Sequence, residues 1–170
     1  HIFAKNGSDL VLVARSADKL EALAKEIETA NKIKVKVIVK DLTDKNSPHE
    51  IFDELQKENI EIEYLINNSG FGGYGKFHET DWKKEEDMIQ VNITALAELT
   101  KLFIQPMMKR NSGRILNVAS TAAFQPGPLM SVYYASKAFV LSLSDAMAYE
   151  LKDTSVTVTC LCPGPTKSNF

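Results

Sequence analysis

Five short apolar runs, separated by longer stretches of helical periodicity, constrain this chain more than any other feature. Leu10-Val11-Leu12-Val13-Ala14 is continuously apolar between turn and cap residues, the pattern of a parallel strand covered on both faces. Residues 17–31 then carry Leu20, Leu23, Ala24 and Ile27 at helical spacing with charges between them. A second strand is expected over residues 35–39. The box Ser47-Pro48-His49-Glu50 predicts a helix running to about Glu58, with Ser47 as its cap, Pro48 at its first position and His49 solvated in its first turn. Strands over residues 62–66, 114–118 and 156–161 alternate with helices over residues 81–109 and 131–152. At the front, residues 1–6 read as the last turns of a helix stopped by Gly7. Parallel neighbours need crossover helices, so this alternation predicts an α/β chain with a doubly wound parallel sheet. Such sheets bind ligands beyond the carboxyl ends of their strands, which makes the residues just after each strand the informative ones.

Size and charge narrow the function. At 170 residues and 44% hydrophobic content, the chain can bury roughly 70% of its unfolded surface, enough for one core and one domain over residues 1–170. Twenty Lys plus Arg against twenty-two Asp plus Glu leaves a net charge of −2 with no basic run, which excludes the electrostatic footprint of a nucleic-acid binder. No apolar stretch approaches the roughly 20 residues of a membrane span, and no signal-peptide pattern opens the chain, so a cytoplasmic location is expected. Cys160 and Cys162 fall on one face of a strand, too far apart to bridge well, and read as buried reduced thiols rather than a metal or redox site.

Gly70-Phe71-Gly72-Gly73-Tyr74-Gly75 spells a dinucleotide-binding glycine pattern after a strand. The working device needs a helix opening within the glycines and an acidic residue ending the next strand. Here the helix starts about six residues late and the strand ends Asn117-Val118-Ala119-Ser120, so the loop is read as a turn near a pocket mouth. Phe71, Tyr74 and His78 are read as lining of that pocket or as ordinary loop packing. Tyr133 and Lys137 say more. Four residues apart on a helix they share a face, and an ammonium beside a phenol favours phenolate, lowering a pKa of about 10 toward the range useful for proton transfer. Tyr134 has Ala138 at the same spacing, so only Tyr133 fits. Ser120 ends a strand before Tyr133, and Asn92 lies mid-helix in Val91-Asn92-Ile93.

Taken in order, Leu12-Val13-Ala14-Arg15, Asp41-Leu42, Asn67-Asn68-Ser69-Gly70, Asn92, Ser120, Tyr133-x-x-x-Lys137 and Pro163-Gly164 resemble the short-chain dehydrogenase/reductase family over nearly the whole chain. The texture of residues 117–128 is similar to that of its bacterial members. The resemblance implies a Rossmann-type fold and hydride transfer between a nicotinamide and a carbonyl or secondary alcohol. Tyr133 would be the general acid and base, Ser120 would donate to the substrate oxygen, Lys137 would hold the nicotinamide ribose and lower the Tyr133 pKa, and Asn92 would position a relay water. It further implies adenosine-side contacts from Asp41, Leu42, Asn68, Ser69 and Gly70, and a nicotinamide cap from Pro163, Gly164, Thr166 and Ser168. Thr166 stands where the family usually has Val or Ile. Arg15-Ser16, a guanidinium and a hydroxyl at a helix start, point to the 2′-phosphate of NADP rather than to NAD. The chain looks truncated at both ends, lacking the family's first strand and glycine-rich loop, with an unfilled place beside Leu10–Ala14. The helix over residues 81–109 carries Ile89, Ile93, Leu96, Leu99, Leu102, Phe103 and Met107 on more than one stripe, which predicts a homodimer or homotetramer. A silent scaffold of the same fold, or a methyltransferase-like sheet in which Tyr133 and Lys137 are accidental, are the alternatives.

Overall fold

The computed structural model describes residues 1–165, and the chain divides into two compact units, His1–Asp41 and Leu42–Phe170. The first comprises α1 (Ile2–Lys5), β1 (Leu10–Ala14), α2 (Ala17–Ala30) and β2 (Val35–Val39). Gly7, at φ 78°, ends α1 as expected: its N–H donates to Ala4 O at 3.0 Å and that of Ser8 to Phe3 O at 3.1 Å, satisfying the last carbonyls. β1 and β2 pair in parallel from Leu10↔Val35 to Ala14↔Val39. The Asp9 carboxylate accepts the Lys34 N–H at 2.8 Å and that of Glu28 the Val35 N–H at 2.9 Å, which fixes where the ladder begins. Leu20, Ala24 and Ile27 form the buried stripe of α2 and, with Ile38, the small core of this unit.

The second unit contains α3 (Ser47–Lys57), β3 (Tyr64–Asn67), α4 (Trp82–Ile89), a π-helical segment (Gln90–Ala95), α5 (Leu96–Arg110), β4 (Gly113–Val118), a 3₁₀ turn (Thr121–Phe124), α6 (Ser131–Glu150) and β5 (Val156–Leu161). Its sheet has the order β3-β4-β5, all parallel. Ile115, Val156 and Val158 from the sheet and Leu96, Leu99, Phe103, Met107 and Val140 from α5 and α6 make the core. Phe52 of α3 packs edge-on to Phe103 at 5.2 Å. A polar chain runs through this interior without an orphan: Asn67 Nδ2 donates to Thr100 Oγ1 and Asn117 Oδ1, both at 2.9 Å, and Asn117 Nδ2 to Ser144 Oγ at 3.0 Å. Thr100 and Ser144 donate onward to the carbonyls of Leu96 and Val140. Satisfied networks of this kind rigidify a core, and this one ties β3, β4, α5 and α6 behind the strand ends.

Several expectations are corrected. β3 starts at Tyr64 rather than residue 62. Asn46, not Ser47, occupies the N-cap of α3; Ser47 is already helical, and the Glu50 N–H donates to Asn46 O at 3.0 Å. His49 is not merely solvated, since its Nε2 meets Glu98 Oε1 at 2.9 Å. The expected long helix is broken in phase by the π segment. A uniform α-helix puts Ile89, two turns before Leu96, on the same stripe, yet Ile89 is half-buried while Met88 and Asn92 are buried. Strand pairing is interrupted where expected: β1 pairs with β2 and β3 with β4, in two ladders rather than one. Within its own sheet β3 is therefore an edge, and Tyr64 and Ile66 are 46% and 42% exposed. Among the described residues, no helix is long and apolar enough to cross a membrane.

Candidate active site

α6 opens with Tyr133 and Lys137 one turn apart, and the Lys137 ammonium lies 5.8 Å from the centre of the Tyr133 ring. Lys137 is 5% exposed. Its Nζ donates to Val118 O, the last carbonyl of β4, at 2.9 Å, which among the described residues leaves two of its three N–H groups for a ligand. Burial pulls its pKa below the ordinary lysine range, while the nearby Cys160 and Cys162 push the other way.

Asn92 sits inside the π segment, buried, and its side chain grips a peptide. Oδ1 accepts the Phe71 N–H at 3.1 Å; Nδ2 donates to Phe71 O at 2.9 Å and to Ser136 Oγ at 3.1 Å. Ser136 in turn donates to Tyr133 O at 2.7 Å. The glycine-rich loop, the π segment and the start of α6 are thus joined through one amide. π turns of this kind recur at functional sites because they re-aim a side chain within an otherwise regular helix. Next to this clamp Gly70 keeps a niche open: a Cβ there would stand 3.0 Å from Asn92 Oδ1 and 3.3 Å from Lys137 Nζ. Asn92 and Lys137, far apart in sequence, therefore border one small polar space. Neither the Phe71 peptide nor Ser136 was picked out from the sequence. Ser136 could have been, as a small polar residue beside Lys137.

Ser120 caps the 3₁₀ turn, its Oγ accepting the Ala122 N–H at 3.1 Å, a bond that uses the oxygen and not the hydroxyl proton. That turn packs against α6. Pro163 O accepts the Thr121 N–H at 3.0 Å, and the space around Gly164 is open. Asn68 and Ser69 are exposed beside Gly70. Thr166 and Ser168 lie outside the described residues. In the first unit Arg15 is solvent-exposed with its guanidinium 3.8 Å from Asp41, and Ser16 occupies the N-cap of α2 without using its side chain as the cap. Leu42, half-buried, opens the second unit.

A cavity of about 600 Å³ opens beside Tyr133, walled by Gly73, Tyr74, Phe77, Glu85, Met88 and Leu129 among others. The loop at residues 72–75 is thus pocket wall, consistent with α4 starting only at Trp82 behind its Asp81 cap. Tyr74 reaches this wall; Phe71 is used through its peptide, and His78 lies 3.4 Å from Glu79. Leu129 holds a left-handed φ of 69° and its carbonyl accepts the Gly75 N–H at 2.8 Å, which fastens the loop to the segment leading into α6.

The short chain dehydrogenase family model matches residues 1–170. Human (Homo sapiens) 17-beta-hydroxysteroid dehydrogenase type 3 is 38% identical over 162 residues, 94% of this chain and 52% of the relative. The very-long-chain 3-oxoacyl-CoA reductase of Anas platyrhynchos is 35% identical over 166 residues, again covering 94% and 52%. The chain spans about half the length of the curated relatives it matches. Among solved structures, the bulky-bulky ketone specific alcohol dehydrogenase from Comamonas testosteroni aligns with a TM-score of 0.92 at 32% identity, covering 99% of this chain and 67% of that one. A short-chain dehydrogenase from Sphingobium yanoikuyae in complex with NADPH aligns with a TM-score of 0.92 at 34% identity, covering 98% and 64%.

Proposed function

The chain belongs to the short chain dehydrogenase family, and from there we propose that it works as an NADP-dependent oxidoreductase on a carbonyl or secondary-alcohol substrate, with Tyr133 as general acid and base. The observation that carries this reading is the buried Lys137 ammonium held beside the Tyr133 ring, with one N–H given to Val118 O. When bound, the nicotinamide supplies hydride for reduction and takes it back for oxidation. Tyr133 donates its phenolic proton to the substrate oxygen in the first direction and removes it in the second. Ser120 donates a hydrogen bond to the same oxygen, opposing the charge that develops there. Lys137 would hold the ribose hydroxyls from its place beside Val118 O. A lysine drawn down from its ordinary range also passes protons more readily, and the niche it shares with Asn92 and Gly70 suits a relay water.

Arg15 and Ser16 are assigned the 2′-phosphate, Asp41, Leu42 and Asn68 to Gly70 the adenosine side, and Pro163 and Gly164, with Thr166 and Ser168, the nicotinamide amide. The NADPH bound by the Sphingobium relative supports this choice of cofactor. The cavity lies in the size range of small-molecule sites, about 300–1,000 Å³, and its Tyr74, Phe77, Met88 and Leu129 favour a bulky, apolar ketone. Two or four copies are proposed to pair through the apolar side chains this helix leaves half-buried, Ile89, Ile93 and Leu102 among them; light scattering that finds only monomer removes this part. The central test is Tyr133→Phe, followed by NADPH oxidation with a panel of ketones. Turnover should fall about 10²–10⁴-fold with cofactor affinity largely kept; a loss below tenfold removes Tyr133 as the acid.

A further inference from the structure

The chain's two cysteines, Cys160 and Cys162, have no part in the proposed chemistry. Cys160 lies in β5 and Cys162 just past its end, and two-residue spacing turns both side chains to one face. Their Sγ atoms are 3.9 Å apart, both are half-buried, and both pack against the cluster of Leu96, Ala119 and Val140. This is an S–H···S contact between two thiols, and a small side-chain rotation draws both sulfurs the rest of the way onto one pyramidal centre, whose narrow bond angle holds its sulfurs closer than a tetrahedral ion would. A disulfide would need them at about 2.05 Å, and β-strand spacing resists that approach.

The kind of bridging atom follows from what surrounds the pair. A zinc-like ion takes about four ligands, mostly from the protein, and among the described residues no group of three or more His, Cys, Asp or Glu exists to provide them. It also needs thiolates, whereas burial pushes the Cys160 thiol up to about 11. What suits this place is a soft centre that is content with two protein sulfurs and removes the thiol protons itself. We propose that Cys160 and Cys162 form a dithiol site for trivalent arsenicals of the R–As=O class. Two S–H bonds and the arsenic–oxygen double bond break, two As–S bonds form, and both protons leave with the oxygen as water. Arsenic stays trivalent and no electrons are transferred. The site borders Lys137, whose charge both thiols influence.

The test treats the full chain with one equivalent of phenylarsine oxide and reads intact mass and free thiols. One adduct should form with loss of both thiols, survive excess 2-mercaptoethanol, and leave with 1,2-ethanedithiol. Two-point attachment should hold the group about 10²–10⁴-fold more tightly than either sulfur alone, so Cys160→Ser and Cys162→Ser should each lose it to the monothiol wash. Retention of the adduct by either variant, or its loss from the unaltered chain to monothiol as readily as from the variants, overturns the proposal, as does failure of both thiols to react. The comparison of monothiol with dithiol on the unaltered chain stands even if a variant misfolds.

Discussion

Lys137 and Arg15 are two cations with proposed roles toward one cofactor, and the chain holds them in opposite ways. Lys137 is buried, bonded to Val118 O at 2.9 Å and flanked by the Asn92 clamp. Arg15 has 73% of its side chain exposed and lies 3.8 Å from Asp41. The first is in position before any ligand arrives, at the cost of taking a charge out of water. The second costs folding almost nothing and is ordered only by what it binds. Preorganisation thus sits at the proposed chemical step, and adaptability at the proposed cofactor selection.

The largest effect that tests this contrast is Lys137→Met. Turnover should fall at least about 100-fold with weakened cofactor binding, while the fold becomes more stable at neutral pH. The sign follows from the lowered pKa of Lys137. Between that lowered value and the ordinary lysine range the native state binds fewer protons than the unfolded state, so native stability rises with pH across this window. The methionine variant lacks that rise, and its advantage shrinks as pH climbs. Urea midpoints measured from neutral to alkaline pH check this; parallel curves for the two proteins would show that Lys137 bears no burial cost.

Asn92→Ala should come next. It leaves the Phe71 N–H and carbonyl without their partner, at about 1–3 kcal/mol for a buried orphan, visible as a lower denaturant midpoint together with lost turnover. An unchanged midpoint would mean that the clamp is dispensable. Arg15→Ala should leave stability within about 0.5 kcal/mol yet weaken NADP about ten- to hundredfold, with NAD unaffected, because only a charge-assisted bond to the 2′-phosphate is lost. Calorimetry showing equal losses for both nucleotides would break the comparison at its exposed end.

What could be read in advance follows the same division between side-chain pattern and backbone geometry. Strands such as Leu10–Ala14 and the pair Tyr133 and Lys137 announce themselves through periods of two and of three to four residues. The Asn92 grip on the Phe71 peptide does not, because a backbone N–H and carbonyl have no residue signature. Ser47 misled as a cap because Asn46 beside it can serve equally well, and which residue turns helical first depends on tertiary contacts. The pairing of His49 with Glu98 joins two helices and is invisible until α3 meets α5.

The π segment has a consequence for how this chain can vary. It holds one residue more than a regular helix would need over the same stretch, and each residue of an α-helix advances the face by about 100°. Deleting any single residue from Gln90–Ala95 would let the helix heal into plain α form and would rotate the fifteen residues of α5 as one block relative to α4. Leu99, Phe103 and Met107 would then swing away from the sheet, or Asn92 from Phe71. The segment is therefore a reading-frame lock. A substitution in the segment keeps this frame even where it costs a contact such as that of Asn92, whereas an insertion or deletion there shifts the frame unless a compensating one lies nearby.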